Sequence, residues 1–173
     1  MSWTAIHGNA TGLSVEADQR KAAPAMESVL VGVDRSEGSR RALRFALQRA
    51  RVNDWRVTVV NVVNWSRYST FHTHEDNERR PVTSKAELRE AQREIIDVLM
   101  AEAEAEGLLE GLEVKTLVRH GRPSEVLAEL GAKPKHDLIV VGRTGDSNLK
   151  VAIFGSTASR LVQHAPVPVV VVP

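Results

Sequence analysis

Between residues 142 and 157 the chain reads Gly142-Arg143-Thr-Gly145, nine further residues, then Gly155-Ser156-Thr157. Glycines let the backbone come close to phosphate oxygens and can adopt positive φ. Gly155, Ser156 and Thr157 open a helical segment, so their free N–H groups are expected at the positive end of its dipole, with two hydroxyl donors added. The implied chemistry is a cradle for a phosphate tail, and Arg143, between two of the glycines, could neutralise phosphate charge. Each glycine alone could equally shape a turn without any ligand. In a chain with 11 Gly among 173 residues, it is the complete spacing that argues for phosphate.

Other chemistry-bearing residues are weaker signals. Asp34 ends an apolar run, where an isolated aspartate most often caps or solvates a turn. Ser36 lies beside it, but no histidine in a nucleophile-elbow setting completes a hydrolase pair. His72 and His74 flank Thr73 without further ligands, so no metal site is expected from protein residues. No Gly-x4-Gly-Lys-(Ser/Thr) loop places a lysine on terminal phosphates, and no Ser-Gly-Gly-x-Asp loop of the adenylating enzymes is present.

These residues need elements to position them. Ser28 to Val33 is a short β-branched strand, followed by a turn and a helix capped by Ser36, with Ala42, Leu43, Ala46, Leu47 and Ala50 on one face. Arg56 to Val63 is a second strand, and Asn64 to Pro81 a long loop. Ser84-Lys-Ala-Glu87 is a capping box for a helix with Leu88, Ala91, Ile95, Val98 and Leu99 as its apolar stripe and Gly107 as its terminator. Strands follow at Leu112 to Val118 and Asp137 to Val141, separated by a helix from Pro123 to Leu130. A last helix, Gly155 to His164, precedes a strand from Val167 to Val172. Continuous apolar strands alternating with helices predict a single doubly wound α/β domain, with a mostly parallel five-stranded sheet and helices on both faces. Ligands in such sheets sit at strand carboxyl ends, which places chemistry after Val33, Val62 and Val141.

Composition narrows the function classes. Apolar residues at 42% supply a core, and 23 Lys and Arg against 22 Asp and Glu leave a formal charge of +1, too little to gather nucleic acid. The absence of cysteine excludes disulfides and thiol chemistry, and makes a cytoplasmic setting the expectation. No apolar run approaches the roughly 20 residues of a membrane helix, so no membrane partner is expected. Residues 1–26 lack a signal-peptide pattern and are expected to form a flexible tail ahead of one domain, 27–173.

From Glu27 to Pro173 the chain resembles the universal stress protein family, in its ATP-binding branch, whose hallmark is Gly-x2-Gly-x9-Gly-(Ser/Thr). The resemblance extends to Val29-Leu-Val-Gly-Val-Asp34-Arg-Ser36, Gly121-Arg-Pro-Ser124, Asp137-Leu-Ile-Val-Val-Gly142 and Pro166-Val-Pro-Val-Val-Val-Val172. It implies that Asp34 lies near the adenosine, that backbone at Val62 meets adenine, and that Gly32 and Val33 flank the pocket. Gly142, Arg143, Gly145, Gly155, Ser156 and Thr157 would take the phosphates. The implied ligand is ATP, with any Mg²⁺ carried by the nucleotide's own phosphates. The implied role is a dimeric regulator of the stress response, or nucleotide-gated switch, rather than a fast enzyme, joined as a homodimer through Val167 to Val172. The rival readings are a slow ATP hydrolase and a nucleotide-free dimerisation or partner-binding module.

Overall fold

The computed structural model describes residues 28–64, 85–133, 136–145 and 155–173. The expected tail, the loop beyond Asn64, Ser84 of the capping box and His72 and His74 fall outside them, as do residues 146–154 within the glycine motif.

Five parallel strands form one sheet: β1 (Ser28–Val33), β2 (Arg56–Val63), β3 (Val114–His120), β4 (Leu138–Gly142) and β5 (Val169–Val172), in the order β3-β2-β1-β4-β5. The helices are α1 (Glu37–Asn53), α2 (residues 85–105), α3 (Pro123–Gly131) and α4 (Ser156–His164). Val29, Val31, Val33, Val57 and Val59 pack under α1 and α2, while Leu30, Val60, Ile139 and Val141 pack under α3 and α4. The alternation along each buried strand thus serves two cores, and the fold is the expected doubly wound α/β sheet. β1 is central, with β2 and β3 on one side and β4 and β5 on the other. The strand order therefore reverses beside the carboxyl end of β1, where a crevice forms.

α1 starts where Ser36, extended at ψ 155°, accepts a hydrogen bond from Ser39 N–H at 3.1 Å. α2 is terminated just beyond its Glu106 cap by Gly107, whose φ of +68° suits a residue without Cβ. Three differences from the sequence expectation have a visible physical cause. β3 begins two residues later than Leu112, because a turn through Gly111 (φ +76°) delays the ladder until Val114 meets Val57. β5 begins at Val169 rather than Val167, because Pro168 has no N–H and contributes only its carbonyl, which accepts from Ile139 N–H at 3.0 Å.

The third concerns α2. A π-helical stretch, Gln92–Ile96, interrupts it before Asp97–Ala105, so the buried residues run Ala91, Ile96, Leu99, Ala103. The extra residue between Ala91 and Ile96 turns the apolar stripe. Ile96 is fully buried where a regular helix would bury Ile95, and Val98, expected in the stripe, is 42% exposed.

Candidate functional site

At the β1–α1 corner, Asp34 folds back on its own turn. Its Oδ1 accepts from Ser36 N–H at 2.9 Å and from the Ser39 hydroxyl at 2.6 Å, and Asp34 N–H donates to Ser39 Oγ at 2.8 Å. The capping reading of Asp34 is therefore realised through Oδ1, while Oδ2 lies at the motif: a Cβ added to Gly145 would stand 2.6 Å from it. One carboxylate both ties the turn and reaches the glycine cradle.

The glycine motif is organised by backbone contact. Gly142 ends β4 against Gly38 at the start of α1; a Cβ at Gly142 would lie 2.6 Å from the Gly38 carbonyl carbon, and one at Gly38 only 2.3 Å from Thr144 O. Arg143 N–H donates to Val172 O at 2.7 Å, and Arg143 O accepts from Gly155 N–H at 2.8 Å. Two sequence expectations are corrected here. Gly155 N–H is engaged by Arg143 rather than free. The motif glycines also do not use positive φ, which among the described residues occurs at Asp54, Gly107, Gly111 and Gly121. They are glycines for space, since neighbouring backbone or the Asp34 carboxylate occupies the volume a Cβ would take. Behind Gly155, Ser159 N–H bonds back to Gly155 O at 3.0 Å, which leaves Ser156, Thr157 and Ala158 as the first-turn donors without intrahelical acceptors.

On the other flank, β2 outruns β1. Val33, the last residue of β1, sits opposite Asn61. Gly121 N–H donates to Val63 O at 3.1 Å across the β2–β3 seam, so the alternation of a parallel strand turns the Val62 peptide edge toward the side where β1 has ended. Asn61 itself is buried, and its side-chain amide donates to Val33 O at 2.8 Å.

These corners enclose one cleft of about 400 Å³, within the range of small-molecule sites. All ten expected residues line it: Gly32, Val33, Asp34, Val62, Gly142, Arg143, Gly145, Gly155, Ser156 and Thr157. The buried Val60, Val141 and Leu127 lie beneath its floor, Val62 is partly exposed, and α2 contributes Glu87, Glu90, Glu94 and Ile95. Arg35 at the lip is ion-paired with Glu94. Among the described residues no group of three or more His, Cys, Asp or Glu could hold a metal ion, and no helix is long and apolar enough to cross a membrane.

The model of the universal stress protein family matches residues 26–173. The chain belongs to that family. A universal stress protein of Methanocaldococcus jannaschii is 30% identical over 146 residues, covering 84% of this chain and 81% of its own. Universal stress protein UspA from Lactobacillus plantarum superposes with a TM-score of 0.71 at 28% identity, over 87% of this chain and 100% of its own. A universal stress protein solved in complex with cAMP shares the fold, with a TM-score of 0.60 at 24% identity over 86% of this chain and 98% of its own.

In this universal stress protein, sequence reasoning missed Arg35, Ser39, Asn61, Thr144 and the α2 wall. Asn61 carried a signal, being the one amide in the apolar run Val57 to Val63, where a buried polar group requires a partner. Ser39 could have been suspected from Asp34-x-Ser36-x2-Ser39, a spacing suited to a hydrogen-bonded turn. Glu94 and Ile95 carried none, because a π-turn leaves no local mark in an otherwise helical pattern.

Proposed function

We propose that this universal stress protein binds an adenine nucleotide, ATP foremost, and acts as a dimeric nucleotide-gated regulator rather than a fast phosphoryl-transfer enzyme. The observation that carries the reading is the convergence of the three motif glycines, the α4 N-terminus, Asp34 and the Val62 peptide edge on one cleft. Phosphate oxygens fit the α4 end, where N–H groups at Ser156 and Thr157, two hydroxyls and Arg143 gather positive potential. The base fits the β2 end, where a peptide edge can read adenine and the partly exposed Val62 and Ile95 supply apolar contact. A family member solved with cAMP supports an adenine ligand for the fold.

Slow turnover follows from what lines the phosphate end. Rapid transfer requires an oriented nucleophile and several fixed cations, whereas the described lining near the glycines offers backbone donors, hydroxyls, Arg143 and an Asp34 carboxylate whose Oδ1 is held by Ser36 and Ser39. Arg35 is paired with Glu94, and Mg²⁺ would arrive on the nucleotide's phosphates. β5, a sheet edge of four half-buried valines, is the surface through which we place the homodimer. The absence of cysteine suits a cytoplasmic setting.

Calorimetry with ATP and GTP tests the ligand. Preference for ATP is expected, and equal affinity, or no heat with ATP at millimolar concentration, overturns it. Single-turnover hydrolysis of labelled ATP tests the role: bound nucleotide should persist for minutes, and turnover of roughly 1 to 100 per second, the kinase range, would make the protein an enzyme.

A further inference from the structure

The two flanks of the cleft differ in charge. On the α4 flank helix N–H groups and Arg143 stand with the Asp34 carboxylate, whose Oδ2 reaches Gly145. On the α2 flank stand three carboxylates, Glu87, Glu90 and Glu94; the Arg35 cation is paired with Glu94, and His120 Nε2 lies 3.9 Å from Glu87. Among the described residues the wall is net negative, three carboxylates facing one guanidinium. Its curvature is built in, because the π-turn brings Glu94 and Ile95 onto the cleft while Ile96 takes the core position.

A second observation, independent of the carboxylates, points the same way. Asn61 lines the cleft at 3% exposure, and its amide N–H is spent on Val33 O at 2.8 Å, which leaves Oδ1 as a buried acceptor with no donor among the described residues. Carboxylates and an amide oxygen can only accept. This flank therefore matches hydroxyl or amino donors and opposes any further anion.

We infer that the α2 wall is a specificity filter, which admits an adenine nucleotide carrying phosphate at the 5′ position alone and rejects one with a second phosphate on the ribose. The inference rests on the nucleotide reading above. With the 5′-phosphate on the α4 flank, a 3′-phosphate cannot share that donor set and is repelled by net negative charge across the cleft.

Titration calorimetry of the full chain with AMP and with adenosine 3′,5′-bisphosphate tests it. The bisphosphate should bind about tenfold more weakly than AMP at 0.1 M salt, and the ratio should shrink toward one at 1 M, where the Debye length falls from about 10 Å to about 3 Å. Glu87→Gln combined with Glu90→Gln should shrink the ratio in the same direction at low salt. Equal affinities for the two ligands in the unaltered protein overturn the filter while leaving the nucleotide reading intact. A ratio insensitive to both salt and substitution makes the exclusion steric and also overturns it. Absence of binding by AMP and ATP alike overturns the nucleotide reading, and the filter with it. The salt series needs no variant, so a misfolded double substitution cannot shield the proposal.

Discussion

Replacing Gly142 by alanine should cost more stability than the same change at Gly145 or Gly155, although all three belong to one phosphate motif. The new Cβ at position 142 would lie 2.6 Å from the Gly38 carbonyl carbon, 2.7 Å from its oxygen and 3.0 Å from its Cα, so every nearby atom is backbone. No rotamer change relieves such an overlap, and the end of β4 must part from the start of α1. Overpacking of this kind costs about 1–3 kcal/mol, and the upper end applies because both partners are main chain. For a domain of this size, about 3 kcal/mol corresponds to a fall in Tm of roughly 6–12 °C. At Gly155 the nearest atom to an added Cβ is Arg143 O at 3.2 Å, which a shift of tenths of an ångström accommodates. At Gly145 it is Asp34 Oδ2 at 2.6 Å, the end of a side chain whose other oxygen is held by Ser36 and Ser39. Gly145→Ala should therefore disturb the carboxylate and weaken nucleotide binding, by about tenfold if roughly 1.4 kcal/mol is lost, with a smaller fall in Tm. Thermal unfolding by circular dichroism, paired with calorimetry on each variant, separates these effects. A Gly142→Ala protein melting within about 2 °C of the parent, or below it by less than Gly145→Ala, would refute the reasoning.

The phase of the π-turn has its own test: Ile96→Ala should cost about 2–5 kcal/mol in denaturant unfolding, Ile95→Ala clearly less, and the reverse order would mean a regular helix. Acid stability follows from the pairs on the α1–α2 face and beside β3. The hydrogen bond from Arg44 to Glu106 and that from Lys115 to Glu113 hold both carboxyls below their ordinary value of 4.5. Depressed carboxyl values stabilise the fold above pH 4.5 and lose that contribution as pH falls through the folded-state values, so Glu106→Gln should flatten the acid limb of Tm against pH, slightly because the pair is exposed. Val171→Lys, which puts a charge among the half-buried valines of the edge strand β5, should convert a dimer to monomer by light scattering while circular dichroism checks that the fold is kept; a folded, unchanged dimer would move the interface elsewhere.

Much of this protein was legible in one dimension because its signals are local. Buried parallel strands are continuous apolar runs, so Ser28–Val33, Arg56–Val63 and, one residue ahead of the observed β4, Asp137 to Val141 stood out, and the strand–helix alternation implied the doubly wound sheet. The glycine motif and Asp34 were readable from spacing and position after those strands. What tertiary structure alone decided was where separate segments meet. Gly38 shows no pattern; its lack of a side chain matters only because Gly142 and Thr144, over a hundred residues away, press against it. The engagement of Gly155 N–H by Arg143 O likewise depends on how two corners dock, so a donor expected to face a ligand turned out to be structural. The phase of α2 belongs to the same class. Helical periodicity assumes 3.6 residues per turn, and whether Ile95 or Ile96 enters the core depends on which fits beneath α2 once β2 and β3 are in place. The sequence holds both isoleucines side by side, and packing chooses between them, sending one to the core and the other to the cleft.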